Sequence, residues 1–200
     1  MRSRNLLITF ALLVLAPCAA HAQTQTDEYK SEIGGLFTAI NLASFDATVN
    51  GLGGRIGYNF NDHFALDAEA SFFPETHLGN EQIGQKAQAF VGLKAGARTK
   101  HVGLFAKARP GVMFIGEFTT GFNCSSSTSL TICRPKHNNF ALDAGGVFEF
   151  YPSARTIIRL DAGDTIIRER QTTRGVFTPA PTTNATTHNF QVSIGIGYRF

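Results

Sequence analysis

The stretch His188-Asn189-Phe190-Gln191-Val192-Ser193-Ile194-Gly195-Ile196-Gly197-Tyr198-Arg199-Phe200 alternates without a break. Its even positions from Phe190 are aromatic or aliphatic, and its odd positions from Asn189 are small or polar. A period of two is the period of a β-strand, because successive side chains point to opposite faces of the pleat. One face of this strand is therefore greasy and the other is not.

The same division recurs upstream. Residues 52–60 set Ile56, Tyr58 and Phe60 against Gly53, Arg55, Gly57 and Asn59, and residues 63–73 set Phe64, Leu66, Ala68, Ala70 and Phe72 against Asp67, Glu69 and Ser71. Residues 83–97 alternate Ala89, Val91, Leu93 and Ala95 with Lys86, Gln88, Gly92, Lys94 and Gly96. Residues 102–114 oppose Leu104, Ala106 and Val112 to Gly103, Lys107, Arg109 and Gly111. In 140–150 the split is Leu142, Phe148 and Phe150 against Asp143, Gly145 and Glu149, and in 158–166 it is Leu160 and Ala162 against Arg159, Asp161 and Gly163. With a less regular first strand at 32–42, eight strands are expected. Pro110 has no N–H for a ladder, so a bulge or local irregularity is expected there. Asp164 falls on the greasy face, at a distance from the preceding turn that places it near the far membrane interface, where a charge costs little.

Twenty Gly, eighteen Phe and only 16% charged residues agree with an all-β chain of one domain. The N-terminus reads as a targeting segment: Arg2 and Arg4 precede an apolar run over 5–16, and Ala20-His21-Ala22 has the small-x-small form of a cleavage site. The expected organisation is a signal peptide at 1–22, a short periplasmic segment at 23–31 and a barrel at 32–200. The apolar run is too short for a spanning anchor, and Pro17 before Cys18 fits a lipoprotein box poorly. Cleavage removes two of the positive charges and lowers the formal charge from +3 to +1, so no nucleic-acid partner is implied. Cys124 and Cys133 flank a Ser/Thr-rich stretch in an exported chain, and a disulfide between them is expected. Their spacing, with His137 nearby, matches no zinc pattern.

Connections set the topology. Asn61-Asp62-His63, Thr99-Lys100-His101 and Pro152-Ser153-Ala154 are tight turns, whereas residues 43–51, 74–82, 115–139 and 167–187 are longer. Short and long alternate, which collects the turns at one end and the loops at the other. That is the plan of an up-and-down transmembrane barrel with periplasmic turns and extracellular loops. A secreted lipocalin-like calyx would invert every side chain. Two features favour the membrane: the polar face is rich in glycine (Gly35, Gly57, Gly92, Gly96, Gly103, Gly145, Gly195, Gly197), as a narrow interior requires, and outward aromatics recur eight residues apart (Phe64 and Phe72, Phe140 and Phe148, Phe190 and Tyr198). At ordinary rise and tilt each pair spans roughly 20 Å, close to the spacing of aromatic girdles.

The final strand, with Gly195, Tyr198 and the terminal Phe200, resembles the C-terminal signal of outer-membrane barrels that the assembly machinery reads. The mature chain as a whole resembles the OmpA-type and OmpX/Ail-type eight-stranded barrels. That resemblance implies an outer-membrane location, with outer-membrane lipid and lipopolysaccharide as its surroundings and the barrel-assembly machinery as a partner in biogenesis.

The inward face carries eight basic residues (Arg55, Lys86, Lys94, Arg98, Lys107, Arg109, Arg159, Arg199) and five acidic ones (Asp67, Glu69, Asp143, Glu149, Asp161). Acidic strands lie between basic ones, so pairing between neighbouring strands is expected to plug the lumen; a narrow ion path is the alternative. No catalytic, metal or cofactor site is expected. Lipid A deacylases of this size carry a His-x-Ser pair, which none of His63, His77, His101, His137 and His188 provides, and the acyltransferases' N-terminal amphipathic helix has no counterpart in 23–30. Metal binding would need His77, His137 and His188 to converge at the rim. Loop cations beside aromatics (Phe118, Phe122, Arg134, Lys136 and His137 in the third loop; Arg168, Arg170, Arg174 and Phe177 in the fourth) suit anionic partners such as lipopolysaccharide phosphates or host glycans. The expected role is a structural envelope protein, a loop-mediated adhesin-like binder, or both.

Overall fold

A computed structural model describes residues 29–43, 46–78, 81–116, 118–120, 132–134, 137–171 and 183–200. The wall consists of β1 (Ser31–Leu42), β2 (Ala47–Asn59), β3 (Phe64–Phe73), β6 (Lys86–Arg98), β7 (Val102–Ile115), β10 (His137–Phe150), β11 (Thr156–Gln171) and β12 (Thr183–Arg199). These eight close into one antiparallel barrel, with β1 between β2 and β12. Closure is completed at the termini, where Ser31 and Phe200 exchange backbone hydrogen bonds of 2.9 Å in both directions. A closed ladder leaves no backbone group for lipid to satisfy.

Each tight turn is tied by its own side chains. Asn61 Oδ1 accepts from the N–H groups of His63 and Phe64, both at 2.8 Å. The Thr99 hydroxyl and Val102 backbone bond each other, and Ser153 Oγ accepts from the Thr156 N–H. Such local bonding is why Asn, Ser and Thr mark these turns.

At the other end the connections depart from expectation. The first is only 43–46, because β2 begins at Ala47; Asp46 takes a positive φ of 47°. Asn50-Gly51 looks like a turn in the sequence but lies within β2, where Gly51 provides space for the Phe73 ring: a Cβ there would sit 2.6 Å from Phe73 Cδ1. The second and third connections extend beyond the barrel as β4 (Thr76–Leu78), β5 (Glu81–Ile83), β8 (Phe118–Thr120) and β9 (Ile132–Arg134). They form a separate sheet in the order β4-β5-β8-β9, joined across the two connections by β5–β8 pairing. The fourth connection shrinks to 172–182 because β11 and β12 pair as far as Gln171↔Thr183.

Pro110 creates a local irregularity rather than a bulge. Pairing of β6 with β7 stops at Phe90↔Gly111 and resumes at Leu93↔Ala108, skipping equal numbers of residues on both strands, while the other edge keeps Leu142↔Pro110 in register. The missing N–H is confined to the β6 side.

The burial pattern is inside out relative to a soluble protein. Leu52, Leu104, Phe190 and Ile196 are each more than 60% exposed, whereas Asp67, Lys94, Arg109, Asp143 and Glu149 are wholly buried. This excludes the calyx, in which the greasy face would be the hidden one. Outward aromatics form two bands, Phe60, Phe64, Phe150, Tyr198 and Phe200 at the turn end and Phe72, Phe114, Phe140 and Phe190 at the loop end. One glycine changes sides: Glu32 points inward and sets the parity of β1, so Gly34 faces the lumen and Gly35 the lipid. At Gly145↔Gly163 the strands approach so closely that a Cβ on Gly145 would stand 2.2 Å from the Ala162 carbonyl oxygen and 2.5 Å from Gly163 Cα. The adjacent Gly146 has only a contact at 4.0 Å. Gly145→Ala should therefore lower the unfolding free energy of the refolded barrel by about 1–3 kcal/mol, while Gly146→Ala should leave the urea midpoint nearly unchanged.

Candidate functional site in the lumen and at the outer rim

The lumen has four layers. Nearest the turns, Glu32 accepts from Arg55 Nη1 at 3.0 Å, Asn59 Nδ2 at 2.7 Å and Arg98 Nη2 at 3.2 Å, with Lys94 Nζ at 3.6 Å. Lys94 also meets Glu149 at 2.5 Å, and Arg98 donates to Glu149 and to the Tyr151 hydroxyl, which itself bonds Glu149. The Arg199 guanidinium lies over the Tyr151 ring at 4.9 Å.

Toward mid-barrel, Arg109 is the hub. Its Nη1 reaches Asp67 at 2.6 Å and Glu69 at 2.9 Å, and its Nε reaches Asp143 at 2.8 Å. Arg159 holds Asp67 with a two-pronged contact of 2.8 and 2.9 Å and Asp161 with another of 2.7 and 2.9 Å. Lys107 bridges Asp143 and Asp161 at 2.9 and 3.3 Å. In the circular order β1-β12-β11-β10-β7-β6-β3-β2, Arg159 on β11 and Asp67 on β3 stand on diametrically opposite walls. Their contact spans the bore.

The partners are not all neighbours, as the alternation suggested. Arg55 lies directly opposite Glu69 in the ladder, yet it turns to Glu32 on its other side, because Glu69 is taken by Arg109 reaching from β7. A long guanidinium in a narrow bore can choose an acid beyond the adjacent strand. Lys86 is buried higher up, within 3.1 Å of the Gly84 carbonyl.

Above the ions comes a neutral polar layer, with Gln88–Gln191, Thr165–Gln191 and Thr38–Ser193 bonds of 3.1, 3.1 and 2.9 Å. The mouth at the loop end is then filled by Ile40, Leu42, Val49, Phe73, Phe90, Met113, Ile115, Ala141 and Ile167. Sequence reasoning missed this layer, and it missed Glu32 and Tyr151. The signal was present: at the loop ends both parities are apolar, as in Phe72-Phe73, Phe114-Ile115 and Ile166-Ile167.

The rim residues divide between the barrel wall and the outer sheet, where Phe118 and Arg134 are register partners. Arg168 and Arg170 lie on β11 rather than in a loop, and Arg168 faces outward from the barrel wall. Phe118, Arg134 and Cys133 sit on the outer sheet, His77 on β4 and His137 on β10. Phe122, Cys124, Lys136, Arg174 and Phe177 lie outside the described residues, as does the cleavage site, so the disulfide remains an expectation. His188 also faces outward and is bound to Asp164, Nδ1 to Oδ2 at 2.5 Å.

A closed eight-stranded barrel that is greasy outside and ionic inside defines a small integral membrane β-barrel. The chain belongs to the family of the outer membrane protein beta-barrel domain, whose model matches residues 10–200. Its place is the bacterial outer membrane. Comparison with curated proteins gives no match. Among solved structures it is similar to Ail, the attachment invasion locus protein of Yersinia pestis, at 15% identity over 86% of this chain and 97% of that one, with a TM-score of 0.50. The N-terminal barrel domain of Pseudomonas aeruginosa OprF shows 14% identity over 89% and 100% of the two chains at a TM-score of 0.47. Neisserial surface protein A shows 11% identity over 86% and 97% at 0.46.

Proposed function

We propose that this protein is a non-conducting envelope barrel that acts through its outer surface, binding anionic surface polymers through the cations of its extracellular connections. The observation that carries the reading is the filled bore: ion pairs cross it from wall to wall and an apolar layer caps them, so the chain's exchange with its surroundings falls to the outer sheet and loops. A solvated, non-binding rim is the competing view, in which the barrel is purely structural. The narrow-pore alternative would need the Arg159–Asp67 contact to open.

Two measurements test this. Purified barrel in planar bilayers should give no discrete conductance steps, and sizeable steps would overturn the plug. The variant R134A/K136A/R170A/R174A should bind a heparin-type polyanion roughly tenfold more weakly or worse, since exposed ionic contacts each contribute about 0.2–1 kcal/mol. Unchanged binding by a correctly folded variant would leave only the structural role.

A further inference from the structure

Three ionisable side chains face outward on the loop-side ends of β11 and β12, separate from both the lumen and the loops. Asp164 is held from two directions: its Oδ2 meets His188 Nδ1 at 2.5 Å, and its Oδ1 accepts the Asn189 N–H at 2.9 Å. The His188 side chain is nevertheless 67% exposed. With Nδ1 committed to the carboxylate, the other ring nitrogen is the end free to donate outward when the imidazole is protonated. Arg168 is exposed on β11, two residues beyond Ile166, the residue opposite His188. This makes Arg168 and His188 diagonal neighbours, roughly 7–8 Å apart at Cα. Arg168 makes no ion pair among the described residues.

Depth distinguishes this cluster from ordinary surface charge. Asp164 lies opposite Phe190 and Arg168 lies opposite Phe140, both exposed aromatics of the outer band. His188 is two residues past Phe190, about 5 Å further along the membrane normal at usual strand rise and tilt. The headgroup layers add roughly 5–8 Å to each side of the hydrocarbon, so His188 and Arg168 stand at headgroup height. One step further down, past Ile166, Leu142 and Phe190, the lipid-facing wall loses its large side chains: Ala162 follows Asp164 down β11, and Ala144, Gly146, Ala106 and Ala108 adjoin it on β10 and β7. A shallow strip of small residues below an outward Arg–His pair has the form of a seat for an acyl chain beneath a phosphate.

We propose that His188 and Arg168 bind the phosphate of an anionic outer-leaflet lipid, its tail lying over the alanine and glycine strip. Asp164 acts as the positioning residue that aims His188. The guanidinium offers paired N–H donors to phosphate oxygens, and the imidazolium adds one more.

The test uses the full barrel folded in neutral detergent. It is titrated with phosphatidic acid, with diacylglycerol of the same acyl chains and with inorganic phosphate, and bound lipid is read by native mass spectrometry and phosphate by calorimetry. Phosphatidic acid should bind best of the three. R168Q/H188Q should weaken it about tenfold or more, while heat-modifiable electrophoretic mobility reports an intact barrel. The loop variant R134A/K136A/R170A/R174A should bind it as the parent does, which separates this site from the loop reading. Equal phosphatidic acid binding by parent and R168Q/H188Q would overturn the proposal. So would equal retention of diacylglycerol, which would mean tail adhesion alone, or inorganic phosphate binding as tightly as the lipid.

Discussion

Arg109→Met should cost the refolded barrel about 3–5 kcal/mol, the usual penalty for removing one partner from a buried ionic cluster. The loss arises chiefly at Glu69. Asp67 keeps Arg159 and Asp143 keeps Lys107, but among the described residues Arg109 is the cation paired with Glu69. R109M would leave that carboxylate buried without its ion-pair partner, because Arg55 across the ladder is held by Glu32, whereas R109M/E69Q should recover part of the deficit. Arg109→Lys should fall between the two, since one ammonium cannot reach Asp67, Glu69 and Asp143 together as the guanidinium fork does. Urea unfolding in detergent, followed by circular dichroism because the chain has no Trp, would measure all three. Parent-like stability of R109M would mean that the lumen charges are satisfied by water, and the plugged reading of the bore would fall with it.

Deleting Phe200 should remove most of the protein from the outer membrane of cells while leaving refolding in detergent largely intact. Two effects separate here. The backbone of Phe200 makes the reciprocal pair of hydrogen bonds with Ser31 that ends the β1–β12 seam, and losing two such bonds costs about 1–3 kcal/mol. That alone should not prevent assembly. The ring is 61% exposed and supports no packing inside the barrel, which suits a feature read by assembly machinery, as the resemblance of the final strand implies. Phe200→Ala keeps the backbone bonds and removes the ring, so it should refold like the parent yet insert poorly in cells. Heat-modifiable mobility of membrane fractions against refolded protein would report both. Normal insertion of F200A would remove the aromatic ring from the assembly signal.

Much of the barrel was legible because its rules are local. Alternation with a period of two places Phe190, Ile194 and Tyr198 on one face and Gln191, Ser193 and Arg199 on the other whatever the rest of the chain does. Asn61, Thr99 and Ser153 mark turns through bonds to residues two or three positions away. The loop ends were less legible. Asn50-Gly51 has turn composition, and only pairing with Ala39 and Thr38 of β1 makes it strand. Arg168 and Arg170 sit among polar residues, and only pairing with Thr186 and Asn184 keeps them on the wall.

The sequence by itself determined an exported, membrane-embedded barrel of eight strands and the set of charges that line it, because strand period and turn chemistry act over a few residues. The tertiary structure decided which acid meets which base, since the bore is narrow enough for Arg159 to reach Asp67 on the opposite wall. It also decided that apolar side chains from β1, β2, β3, β6, β7, β10 and β11 converge to cap the ions. Nothing local distinguishes an inward Ile40 or Phe73 from an outward one until the barrel closes. The joining of Asp164 to His188 beside Arg168 has the same cause: the residues are some twenty positions apart in the chain, and register alone makes them neighbours.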